Sequence, residues 1–136
     1  MGDLGREMLE KRWLWLRSQA KIKERWALMG KTVLLTAHSG ADNRPDNSLE
    51  FVDYALRSDA DALEVDVRRN SQGVLALGHD AAGASAPTLW DTFLRVAEHP
   101  SMKINCDLKE RGLEVEVSHL AERAGLGGRL IFSGSF

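Results

Sequence analysis

The sequence predicts an α/β protein built on a parallel sheet or barrel, and three observations predict it. Beyond Gly30, short runs rich in Val, Leu and Ile alternate with stretches of helical spacing. The strand candidates are apolar on one face and charged on the other. Their charged residues gather at the strand ends or just beyond them, where parallel α/β folds build sites. The bulk properties agree. A chain of 136 residues, 43% hydrophobic and 28% charged, can bury a sizeable core and is not of the disordered class. No apolar run reaches the roughly 18 residues of a membrane span, and the charged N-terminus has no signal-peptide core. The single cysteine, Cys106, excludes an internal disulfide and cysteine-rich zinc sites, and points to a reducing, cytoplasmic compartment. A net charge of -2 argues against nucleic acid as a partner.

Charge divides the chain. Residues 1–31 hold eight Lys or Arg against four acids, so the rest carries the negative excess. We place a boundary near Gly30, with a basic amphipathic helix in residues 1–30 and the α/β unit in residues 31–136. Within the first part, residues 6–29 predict the helix, because Leu9, Trp13, Leu16 and Ala20 recur at helical spacing without Pro or Gly. Such a face packs on a neighbouring domain or partner; its Trp residues and basic charge also suit peripheral contact with an anionic membrane.

The second part reads in order. Residues 33–37 are a strand. Asn47 and Glu50 form a capping box opening a helix to about Ser58. Residues 62–67 are a strand, Ser71-Gln72-Gly73 a turn, and residues 74–78 another strand. Thr88 caps a helix from Leu89 to about Glu98. Residues 103–109 form a strand, Leu113 to Ala124 a helix ending at Gly125, and Leu130-Ile131-Phe132 a fifth strand. Residues 68–73 are too few for a helical crossover. The chain therefore either returns in extended form or makes a hairpin about Ser71-Gln72, which would bring His79 roughly opposite Glu64.

Alternation then assigns the chemistry. Glu64 and Asp66 share one face of their strand, and Asn105, Asp107 and Lys109 share one face of theirs. His38 follows the first strand and His79-Asp80 the third. Three carboxylates in one pocket repel and shed water, a cost that a hard divalent cation such as Mg2+ or Ca2+ resolves. Lys109 adds a positive charge suited to an anionic substrate group, and two histidines can serve as base and acid near neutral pH. Singly, each feature has a plainer reading: a solvated strand face, a loop histidine, an edge ion pair. Together they favour metal-assisted attack on a phosphate ester.

These residues resemble a family. His38-Ser-Gly40, Pro45-Asp-Asn-Ser-Leu-Glu50, Ala60-Asp-Ala-Leu-Glu-Val-Asp-Val67, His79-Asp80, Pro87-Thr-Leu89 and Asn105-Cys-Asp-Leu-Lys109 look like the successive motifs of glycerophosphodiester phosphodiesterases, a resemblance that covers residues 33–136. It implies a partial (β/α)8 TIM-type barrel with five strands present, and hydrolysis of glycerophosphodiesters to glycerol 3-phosphate and an alcohol. It implies Glu64, Asp66 and Asp107 as ligands of a divalent cation, His38 and His79 as the acid/base pair, and Lys109 on the phosphate oxygens. In the implied mechanism a substrate hydroxyl attacks phosphorus, and water then opens the cyclic phosphate. Sphingomyelinase D-type enzymes share this layout, including an aspartate two residues before a lysine.

The chain also departs from the pattern. Ser39 stands where the family carries Arg, so Arg44 is a candidate for the missing phosphate contact. Asp46 stands where glutamate is usual, and no insertion separates His79-Asp80 from Pro87, which predicts a more open cleft. A full barrel needs roughly 200–250 residues. The length therefore predicts a truncated chain, or one that completes its sheet by self-association. A non-catalytic metal-binding module is the alternative function.

Overall fold

The structure is a computed structural model and describes residues 34–38 and 45–135. The helix expected at residues 6–29, and Ser39 and Arg44, lie outside the described residues. The elements are β1 (Thr36–Ala37), α1 (Leu49–Leu56), β2 (Ala62–Arg69), β3 (Leu75–Leu77), α2 (Leu89–Ala97), β4 (Lys103–Leu108), α3 (Glu114–Arg123) and β5 (Leu130–Gly134). Strands β1, β2, β4 and β5 run parallel in that spatial order, and β3 pairs antiparallel with β2. This is the partial TIM-type barrel expected. Among the described residues the sheet stays open, with β1 and β5 at its two ends.

Strand β2 organises the whole. Its first residues pair with β1 (Ala62 with Thr36), and its last three pair with β3 (Val67 with Leu77). Residues 62–67 pair along their other edge with β4. The two alternatives for residues 66–78 are thus settled as a hairpin. Its turn is made by Asn70, whose Oδ1 accepts from the N–H groups of Gln72 (2.8 Å) and Val74 (3.0 Å), with Gly73 at φ +80°. The hairpin register sets Gly78 beside Asp66, and the Gly78 N–H donates to the Asp66 carbonyl at 3.1 Å. The ladder ends at Val67 and Leu77, and His79 follows directly after the Gly78 that is tied to Asp66, in the neighbourhood expected of a hairpin.

The core lies on one side of the sheet. Leu63, Val65 and Val67 of β2 and Ile104, Cys106 and Leu108 of β4 are fully buried with Phe51, Leu89, Phe93 and Val117 from the helices. This is the face that alternation assigned to helices. Thr88 caps α2 as expected, its Oγ1 accepting from the Asp91 N–H at 3.1 Å. Gly125, at φ +83°, ends the turn after α3. One expectation is corrected. The cap of α1 is Ser48, whose Oγ accepts from the Phe51 N–H at 3.0 Å, and not Asn47. Asn47 is buried and bonded elsewhere.

Candidate metal centre

The face of β2 and β4 away from the helices carries Glu64, Asp66 and Asp107. The parallel register sets Asp66 beside Asp107 and Glu64 beside Asn105, so two of the carboxylates meet across adjacent strands and Glu64 stands two residues along the same face. One oxygen from each of Glu64, Asp66 and Asp107 lies within 4.8 Å of the others. Asp66 is buried, and Glu64 and Asp107 are half-buried. At such spacing each like-charged pair costs roughly 3–4 kcal/mol if the effective dielectric constant is about 20.

Lys109 offsets part of this. Its Nζ donates to Asp107 Oδ2 at 3.0 Å and lies 3.5 Å from Asp66 Oδ1. The hydrogen bond to Asp107, with the charge of Asp66 in support and burial in opposition, raises the ammonium above the ordinary lysine range. One lysine against three carboxylates leaves two negative charges, which a divalent cation cancels. The donors fit such an ion. They are hard oxygens, and oxygens around one Ca2+ or Mg2+ at about 2.0–2.6 Å are at most about 5 Å apart. Glu64, Asp66 and Asp107 are the residues that would hold it.

Asn47 shapes this centre, and the sequence reading missed it. Its Nδ2 donates to Asp66 Oδ2 at 3.0 Å, and its Oδ1 accepts from the Asp66 backbone N–H at 2.8 Å. That reciprocal pair fixes the carboxylate and leaves Oδ1 toward Lys109. Asn47 adopts φ +53°, a conformation Asn tolerates better than most residues. The available signal was the Asn47-Ser48 pair: both are capping residues, only one can cap, and the other is released. Gly134 is the second residue missed. A Cβ there would collide with the Leu108 backbone and with Asp107 Oδ1, so only glycine lets β5 pass this close.

The two histidines are placed differently. His38 leaves the end of β1 with its Nε2 3.1 Å from Glu64 Oε1, and its side chain is 78% exposed. It thus touches the centre and is open to solvent. His79 turns its Nδ1 to Asp80 Oδ1 at 3.0 Å, in an exposed pair. The backbone bond from Gly78 to Asp66 ties its segment to the centre. So His38 contacts Glu64, Lys109 contacts Asp66 and Asp107, the three carboxylates lie within 4.8 Å of one another, and His79 is joined to them through the main chain. Asp46 is exposed in the turn before α1.

No family model matches the sequence, and no curated protein matches it significantly. Solved structures do. The glycerophosphodiester phosphodiesterase of Agrobacterium tumefaciens superposes with a TM-score of 0.64 at 19% identity, over 76% of this chain and 58% of its own. A protein of Galdieria sulphuraria provisionally named for the same activity gives 0.60 at 17% identity, over 73% of this chain and 55% of its own. The chain therefore spans just over half the length of these structures, and what it shares with them is the fold of a glycerophosphodiester phosphodiesterase barrel.

Proposed function

We propose that the chain carries the metal-dependent centre of a phosphodiesterase acting on glycerophosphodiesters, releasing glycerol 3-phosphate and an alcohol. The observation that carries this reading is the carboxylate trio Glu64, Asp66 and Asp107, with Lys109 between the two aspartates and His38 in contact with Glu64. A bound Mg2+ or Ca2+ would supply Lewis-acid stabilisation of the phosphoryl oxygens. Lys109 adds fixed positive charge where negative charge grows on those oxygens. His38 is the base that takes the proton from the attacking substrate hydroxyl, and its contact with Glu64 orients the ring. His79 is the acid that protonates the departing alcohol oxygen. The roles reverse when water opens the cyclic phosphate, so both histidines return to their starting states. The fold shared with the Agrobacterium tumefaciens enzyme supports the substrate class.

The test is hydrolysis of glycerophosphocholine by the full chain with added Mg2+ or Ca2+. Turnover is expected with the cation and lost on chelation, and His38→Ala is expected to lower kcat by about 100- to 10,000-fold, the range for general acid–base groups. A chelated protein that turns over as fast as the metal-loaded one contradicts the reading.

A further inference from the structure

The β2–β4 ladder continues one residue beyond its last strand pair. Lys109 N–H donates to the Val67 carbonyl at 3.0 Å, so the step after Val67 and Leu108 sets Arg68 beside Lys109. By alternation Arg68 shares the face of Glu64 and Asp66. That face is layered: Asp66 and Asp107 at one level, and two cationic residues at the next level toward the strand ends.

The two cations are not equally occupied. Lys109 is spent on Asp107 and Asp66. Arg68 has no carboxylate partner among the described residues, whereas its neighbour Arg69 pairs with Glu116 at 2.6 Å. Arg68 donates through one terminal nitrogen to the Asp80 carbonyl oxygen, a neutral acceptor. Its Nε is buried and has no hydrogen-bond partner among the described residues. Such an unmet charged donor costs at least about 1–3 kcal/mol unless an acceptor reaches it. With one terminal nitrogen committed to Asp80, the edge formed by Nε and the other nitrogen remains, and two parallel N–H groups there match a tetrahedral oxyanion.

We propose that Arg68 is a phosphate contact of this site, binding the substrate's non-bridging phosphoryl oxygens beside Lys109. The inference rests on the phosphodiesterase reading and assigns that site a further recognition residue. Arg68 binds ground state and transition state alike, so its loss appears in KM and not in kcat.

The experiment uses the full chain with Mg2+, glycerophosphocholine as substrate and inorganic phosphate as a calorimetric probe. Arg68→Ala is expected to raise KM by about 10- to 100-fold, with kcat within about threefold and an unchanged pH–rate profile. The phosphate Kd is expected to rise in parallel. Arg68→Lys keeps the charge without the paired edge and is expected to fall between the two; it is the deciding variant if the alanine protein does not fold. An unchanged KM and phosphate Kd overturn the proposal. So does a loss confined to kcat with a shifted pH profile, which would make Arg68 a strut holding the His79 segment through Asp80. Failure of the phosphodiesterase reading is seen separately, as no turnover by the parent chain. Phosphate binding that the parent shows and Arg68→Ala loses still supports the contact, and its absence in the parent overturns it.

Discussion

On the helix side of β2 and β4, Leu63, Val65, Val67, Ile104, Cys106 and Leu108 form the centre of the hydrophobic core. One residue away on the other side of the same strands, Glu64, Asp66 and Asp107 crowd together with a single lysine between two of them. The first face holds the fold together, since each buried aliphatic side chain contributes roughly 1.5–3 kcal/mol. The second works against it when no cation is bound, because like charges are held close in a half-buried place. A short stretch of backbone thus carries both the stability and the chemistry, with pleat alternation keeping them apart.

The sharpest test of that separation uses one substitution per face. Asp66→Asn removes a proposed ligand and is expected to lower turnover by about three orders of magnitude, or roughly 4 kcal/mol in the barrier. Without added cation, its thermal midpoint is expected to equal or exceed that of the parent. Phe93→Ala, on the core side, is expected to cost about 3–5 kcal/mol in urea unfolding while the folded fraction keeps its kcat. If both variants lose stability equally, the two faces are not independent.

A smaller effect is expected at Asn47, which supports the carboxylate face from the turn before α1. Asn47→Ala removes the clamp on Asp66, and cation affinity measured by calorimetry is expected to fall about 10- to 100-fold, the usual cost of losing a residue that orients a ligand. Asn47→Gly serves as its control. Glycine accepts φ +53° without strain, so it should lose affinity to the same degree and less stability. Recovery of affinity in the glycine variant would mean that backbone strain, and not the amide, is what matters.

The mildest prediction concerns pH. The pKa of Lys109 in the folded chain is raised above the ordinary 10.5. Its contribution to stability is therefore complete below that ordinary value and is lost as pH rises through the folded value. Lys109→Met is expected to be less stable than the parent at pH 8 in cation-free buffer. The gap is expected to narrow above about pH 10.5 in urea unfolding. A gap that stays constant into the alkaline range would assign the effect to packing of the lysine stem.

What the sequence made legible follows from the same alternation. Period-two patterning identifies which side of β2 and β4 is apolar, and so puts Glu64, Asp66, Asp107 and Lys109 on one face, as the register bears out. The Thr88 cap was readable because a single capping residue precedes its helix. At the start of α1 the local rule chose Asn47, because Glu50 stands three residues on, and it failed because the bonds that decide Asn47's role are to Asp66, 19 residues away. Gly134 was silent for a similar reason: its need for close approach arises only once β5 lies beside β4. The hairpin was legible as one of two alternatives, because alternation alone does not choose between them and the turn at Asn70 does.

Cys106 lies on the core face of β4, one residue from Asp107, with its thiol fully buried and its pKa pushed up by burial. A thiol is modified as the thiolate, so in the folded chain this sulfur is inert to alkylating reagents. It becomes reactive only when β4 leaves the sheet. As the sole cysteine, it makes the chain its own clock for opening of the central strands. Any cation that clasps Asp107 to Asp66 must slow that clock, so the labelling rate reads occupancy of the centre without any substrate being turned over.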